Sequence, residues 1–293
     1  MFNREVVPLA LVAGVAIVVF GCASQFARAS LLVYEPFNYP AGALDGQGDS
    51  SDLGFQNGTT WQNGGGTADA NQVVSPGLQY VDSSGHSLSV EGNALDLPGT
   101  EVDYRDISAT YGSAGQTLWI SLLAQGQDSG NYAGVSLINT NLSSKEILFL
   151  GQPSTNHWGF SDYSYQNGTG DNTQTAVSTN PASQAFLVYE ISVPANGTGY
   201  TIDMWVDPQL GSSLTSSPDA SEVNTTDKFL EFNQLVLHSN ESAQLDEFRI
   251  GTTYADVAPI ASPVPEPSSA SMIAPGILTL LLAVPSLRKR RPV

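Results

Sequence analysis

Cysteine is all but missing from this 293-residue chain: there is one, Cys22, inside an N-terminal apolar run. The body can therefore form no internal disulfide and no thiolate metal site, and its stability must come from packing. Basic residues are nearly as scarce. Of the ten, Arg105, Lys145, Lys228 and Arg249 are those between Leu31 and Val257; they face 26 carboxylates, so this stretch carries a net charge of −22. Such a surface repels nucleic acid and anionic lipid, whose recognition needs clustered Lys and Arg to displace counterions. Nucleic-acid binding is excluded. Histidine occurs at positions 86, 157 and 238 alone, without the H-x-H or H-E-x-x-H spacing of a zinc site, so each reads as a surface or strand-end residue. No Ser-His-Asp arrangement, G-x-S-x-G elbow or phosphate-cradling loop is indicated.

What the chain does have is acid, small polar residues and β-formers. The acid excess serves solubility first. Gathering divalent cations would need carboxylates that converge with backbone carbonyls, and no D-x-[DN]-x-[DN]-G loop occurs. No cofactor is expected, with calcium left open. Gly, Ser, Thr and Asn with β-branched and aromatic residues make short strands and tight turns. Alternation supports this reading: Tyr200, Ile202, Met204 and Val206 share one face and Thr201, Asp203, Trp205 and Asp207 the other. Thr117–Gln125 groups Leu118, Ile120, Leu122 and Ala124 and reads as a central strand; Ala185–Val193 groups Leu187, Tyr189, Ile191 and Val193. Further strands are expected at 31–34, 78–81, 87–90, 102–108, 132–138, 146–150, 157–163, 229–237 and 244–250. Asn57-Gly58, Asn63-Gly64, Asn167-Gly168 and Asn196-Gly197 supply turns, and 169–184 and 211–227 read as polar loops. The expectation is an all-β body over 31–257, two packed antiparallel sheets in one domain.

The two ends differ from the body. Residues 1–29 read as a secretory signal peptide: Arg4, an apolar stretch from Val6 to Phe20, then Ala27-Arg28-Ala29 with cleavage before Ser30. The alternative is lipidation at Cys22, since Val19-Phe20-Gly21-Cys22 loosely resembles a lipobox. At the other end, residues 258–268 are a Pro-rich linker containing Pro265-Glu266-Pro267. An uncharged stretch, 269–287, then reads as a transmembrane helix of marginal length, and Arg288-Lys289-Arg290-Arg291 in the 288–293 tail would stay cytoplasmic.

Those three C-terminal parts, in that order, resemble the PEP-CTERM sorting signal of Gram-negative and related bacteria. The resemblance implies an exosortase-type membrane protease as partner, acting near Pro265-Glu266-Pro267, and an exported chain held by its C-terminal helix before it reaches the cell surface or extracellular matrix. The body resembles bacterial surface proteins with a LamG or concanavalin A-like jelly roll in Leu32-Val33-Tyr34-Glu35-Pro36-Phe37, Trp119-Ile120-Ser121-Leu122-Leu123, Asp203-Met204-Trp205-Val206-Asp207-Pro208 and Asp246-Glu247-Phe248-Arg249-Ile250-Gly251.

Concanavalin A-like folds include glucanases whose catalytic strand carries Glu-x-Asp-x-Glu. The nearest segment here is Glu101-Val102-Asp103-Tyr104-Arg105-Asp106, which has Arg105 where a second catalytic carboxylate belongs. Pairing of Arg105 with Asp103 or Glu101 is the simpler account. Trp158, beside His157 and Tyr163, and Trp205, between Asp203 and Asp207, are the tryptophans expected to be exposed for stacking on sugar rings; Trp119 is expected to pack in or over the sheets. The functional expectation is a non-enzymatic adhesion, extracellular-matrix or carbohydrate-binding module. The alternatives are a glycan-active hydrolase on this fold and a purely structural matrix protein.

Overall fold

The computed structural model describes residues 30–49, 52–154, 156–164, 171–211, 213–214, 216–225 and 230–262. The expected signal helix, the Pro265-Glu266-Pro267 motif, the expected membrane helix and the basic tail lie outside the described residues. Among those described, no helix is long and apolar enough to cross a membrane.

The described residues form sixteen strands, a 3-10 turn at Thr140–Leu142 and one short helix. The first eight strands are β1 (Leu31–Glu35), β2 (Gly42–Ala43), β3 (Gln62–Gly66), β4 (Gln72–Val74), β5 (Ala94–Leu97), β6 (Glu101–Tyr111), β7 (Thr117–Gln125) and β8 (Ala133–Asn139). The second eight are β9 (Lys145–Gln152), β10 (Gly159–Ser164), β11 (Asp171–Ala176), β12 (Ala185–Ser192), β13 (Tyr200–Val206), β14 (Ala220–Asn224), β15 (Phe232–Ser239) and β16 (Ala243–Gly251); α1 (Tyr254–Val257) follows. A nine-stranded sheet runs β14-β13-β12-β7-β16-β5-β4-β2, with β1 also on β16, and a seven-stranded sheet runs β11-β10-β9-β8-β15-β6-β3. All pairs are antiparallel. The body is an all-β, jelly-roll-like sandwich, and β7 lies in the middle of its sheet.

Strict alternation explains which sides meet. Leu118, Ile120 and Leu122 of β7, Leu187 and Ile191 of β12, and Ile202 of β13 turn into one core with Val135, Leu148 and Leu237 of the other sheet. Burying each such side chain contributes roughly 1.5–3 kcal/mol. The opposite face of the nine-stranded sheet is partly roofed. Leu78, Leu88, Leu210 and Tyr254 pack there on Leu123, Phe186 and Val188, and Asp246 Oδ2 fixes the roof by accepting from Leu78 N at 2.7 Å.

Several expectations are corrected. Residues 78–81 and 87–90 form isolated bridges, Val81 with Ser87 and Leu88 with Ile260, instead of strands, because they lie over a sheet face instead of joining its edge. Asn63-Gly64 is not a turn; it sits inside β3, where a register shift between Asn63 and Gly65 absorbs the glycines. The expected loops 169–184 and 211–227 contain β11 and β14. Both are edge strands of their sheets.

Candidate functional site

The Glu101–Arg105 segment proves to be interior. Glu101, Asp103 and Arg105 do share a face of β6, but all three are buried in the sandwich. Glu101 accepts from Asn63 Nδ2 and from the backbone N–H groups of Asp69 and Asn71. Asp103 Oδ2 accepts from Asn71 Nδ2 at 2.7 Å. Burial first, then the nearby Glu101, Asp45 and Asp69, push the Asp103 carboxyl up to about 7, against the pull of Asn71.

Arg105 does not pair with Asp103 or Glu101. Its Nη1 lies 2.7 Å from Asp52 and 3.4 Å from Glu35; its Nε donates to Thr59 O and its Nη2 to Asp49 O. The guanidinium closes a buried cage in which Glu35 also accepts from Trp61 Nε1, Tyr39 Oη and Phe37 N. Burial pushes Glu35 up to about 7 in spite of these donors. With every oxygen of Glu35 occupied, the cage is structural.

The tryptophans are also redistributed. Trp158 is 1% exposed, because it turns to the core with Phe160, two residues on along the same strand direction. It can stack on no ligand there. Trp205 is 6% exposed: its indole stacks on Trp119 with centroids 5.6 Å apart, and its Nε1 donates to Ser216 O at 3.2 Å. The expectation of free exposure is therefore corrected for both, although Trp205 still lines a pocket. Trp119 is only partly buried.

Where these indoles meet, the outer face of the nine-stranded sheet carries an arrangement that no single strand reveals. Glu190 of β12 stands directly opposite Asp203 of β13 on one side and Trp119 of β7 on the other. Directly opposed residues have Cβ atoms about 4.5–5.5 Å apart. Like charges so placed destabilise a sheet, and both groups are half-buried. Burial, and then the charge of Asp203, raises the pKa of Glu190. Among the described residues neither carboxylate has a cationic partner.

A pocket of about 400 Å³ opens over this row, with Trp119, Trp205, Tyr254 and Glu190 on its walls and Ser216 and Thr253 at its rim. Tyr254 meets Trp119 edge-on, with centroids at 5.5 Å; α1 positions it through its cap, in which Thr253 N and Oγ1 donate to Asp256. The arrangement offers an aromatic wall, hydroxyl groups and the Glu190 carboxyl, with Asp203 directly opposite Glu190 on the neighbouring strand.

The histidines remain outside this site. His86 is half-exposed and lies 3.1 Å from Asp82, and His157 sits just ahead of β10. His238 does meet a serine and an acid: Nε2 is 2.6 Å from Ser136 Oγ and 3.8 Å from Glu146. Ser136 and Glu146 approach the same ring nitrogen, whereas a nucleophile-activating triad needs the acid on the other one. Among the described residues no group of three or more His, Cys, Asp or Glu side chains is placed to hold a metal ion.

No protein-family model and no curated protein matches the chain. Among solved structures it is similar to the botulinum neurotoxin serotype D binding domain, at 10% identity and a TM-score of 0.44 over 77% of this chain, of which it spans about half (49%). It is also similar to SCLam, a non-specific endo-β-1,3(4)-glucanase of family GH16 (11% identity, TM-score 0.43, 78% of this chain and 92% of that one). A third is a Bacillus licheniformis β-glucanase (16%, 0.36, 78% and 100%). With endo-glucanases among the similar structures, the expectation that the body is not an enzyme is corrected and withdrawn. Such distant likenesses pass no residue role and no substrate to this chain.

Proposed function

We propose that this chain is an exported jelly-roll protein that binds a polysaccharide against Trp119 and Trp205 and hydrolyses it with Glu190 and Asp203. The observation that carries the reading is the Glu190 carboxyl in the wall of a pocket with the stacked indoles of Trp119 and Trp205, directly opposed by Asp203 across the strand pair. Retaining glycosidases hold their two carboxyl groups about 5–5.5 Å apart, and a directly opposed pair, with Cβ atoms about 4.5–5.5 Å apart, puts two side chains within reach of that separation.

The assignment of roles follows from environment. Glu190, with its raised pKa, keeps its proton longer and is the general acid; it protonates the glycosidic oxygen as the bond to the anomeric carbon breaks. Asp203 attacks that carbon and forms a glycosyl ester. Glu190, now ionised, takes a proton from water, which displaces Asp203 and restores both groups. Trp119, the half-buried member of the stacked pair, offers apolar indole surface to the sugar rings, with Trp205 behind it.

Export and sorting belong to the same reading. The signal segment with Ala27, Ala29 and Ser30, the Pro265-Glu266-Pro267 motif and the Arg288–Arg291 cluster support processing by an exosortase-type protease and display at the cell surface or in the matrix.

The test is turnover of a polysaccharide panel, followed by release of reducing ends. Wild type should hydrolyse at least one member, and Glu190→Gln and Asp203→Asn should each lower kcat by about 10²–10⁴-fold while binding persists. Hydrolysis that survives both substitutions would remove the pair from the mechanism.

A further inference from the structure

We infer that this pocket takes glycan chains built of uncharged sugars and excludes uronate or sulfated chains. The inference rests on the reading of the pocket as a glycan site and adds its substrate class. It is carried by what surrounds the pocket. Glu190 lies in its wall, Asp203 stands directly opposite Glu190, and Asp219, whose Oδ2 accepts from Val206 N at 2.8 Å, is one strand end away. Asp207, whose Oδ1 accepts from Phe186 N at 2.8 Å, closes the same end of β13.

No Lys, Arg or His is among the described lining residues. The body's described cations are committed elsewhere: Arg105 to Glu35 and Asp52, Arg249 to Glu247, and Lys145 at the start of β9 in the other sheet. Proteins that read carboxylate or sulfate groups place arginine or lysine against them. Here an anionic sugar would meet the Glu190 carboxyl in the wall, backed by Asp203, with no counter-charge on the lining. Neutral hydroxyls suit the same wall, because carboxylates, Ser and Thr accept or donate to them without a charge penalty.

The experiment holds the backbone constant and changes charge alone. Neutral hexasaccharides of glucose, galactose or mannose units, and the same chains oxidised at C6 to uronates, are titrated into the mature chain purified in mild detergent, at 0.05 M and 1 M NaCl. The expected result is binding of a neutral chain, lost in Trp119→Ala, and weakened at least about tenfold by oxidation at low salt, with part of the loss recovered at 1 M as screening shortens to about 3 Å. The Glu190→Gln, Asp203→Asn double variant should narrow the gap by accepting the oxidised chain better than wild type does. Equal or tighter binding of the oxidised chain that depends on Trp119 would overturn the charge inference and leave the site standing. If no chain of either charge binds in a Trp119-dependent way, the glycan reading of the pocket falls and this inference with it. Circular dichroism of Trp119→Ala separates that result from misfolding.

Discussion

Asp103 shows how a single buried carboxyl sets a pH dependence for the whole body. Its Oδ1 and the Oδ1 of its partner Asn71 are both buried without a hydrogen-bond partner, an arrangement that a proton on Asp103 relieves and a negative charge worsens. The folded pKa is pushed up to about 7 from an ordinary 3.8, so between those values the folded state holds a proton that the unfolded chain releases. Stability from this group is present in full below about pH 4 and is lost as pH rises to about 7, where the loss levels off. The unfolding free energy from urea titrations should therefore fall from pH 5 to pH 8, by on the order of 1–3 kcal/mol from Asp103. Asp103→Asn should flatten that slope; parallel slopes for wild type and variant would dismiss Asp103 as the source. Glu35 and Asp246, pushed up to about 7 and about 8, act in the same direction and account for the slope that remains. Arg105 is the complementary case. Arg105→Met leaves Glu35 and Asp52 without their cation and should cost about 3–5 kcal/mol in denaturant unfolding. Arg105→Lys should rescue little of it, since one ammonium cannot serve Asp52, Thr59 O and Asp49 O together.

At the scale of strands, the opposition of Glu190 and Asp203 across β12 and β13 should lower stability, and this separates a functional pair from a structural one. Glu190→Gln should raise stability by roughly 0.2–1 kcal/mol as the repulsion goes, while turnover falls. Thermal unfolding and the activity assay on one preparation check both signs; a loss of stability together with activity would mean that the glutamate holds the sheet. The same pair marks the boundary of what could be read from residue order. β7 and β13 announce themselves through strict alternation of Leu118, Ile120, Leu122 and of Tyr200, Ile202, Met204. β3, Gln-Asn-Gly-Gly-Gly, and β14, Ala-Ser-Glu-Val-Asn, do not, because an edge strand with little to bury carries no apolar period. β11 in Asp-Asn-Thr-Gln-Thr-Ala is silent for the same reason. The site was half legible: the position of Trp205 and Asp203 on one face followed from the two-residue period, but Glu190 faces Asp203 through the register of two strands, and register is a property of pairing. Glu101 and Asp103 were legible as neighbours on a face; which face met the core depended on where β6 docked.

For the whole molecule, the charge of the body and the make-up of the tail act together. Residues 269–287, as a helix, would rise about 28 Å against a hydrocarbon core of about 30 Å, and they contain Pro275 and Pro285. On the proposed reading, such a segment would be a short-lived anchor. With four basic residues against 26 carboxylates between Leu31 and Val257, the body would be repelled by the anionic lipid surface that polybasic segments use for attachment. A single cut near Pro265-Glu266-Pro267 should then suffice to free the body from the bilayer, with no further step to detach it. Mass spectrometry of the C-terminus in cells with an active exosortase should find a mature form lacking Arg288 to Arg291, and fractionation should place that form outside the membrane pellet. In cells lacking the protease, the full tail and the membrane fraction should be recovered together. A full-length tail persisting where the protease is active would sink the processing, and a trimmed chain that still pellets with membranes would show that the body, despite its charge, has an anchor of its own.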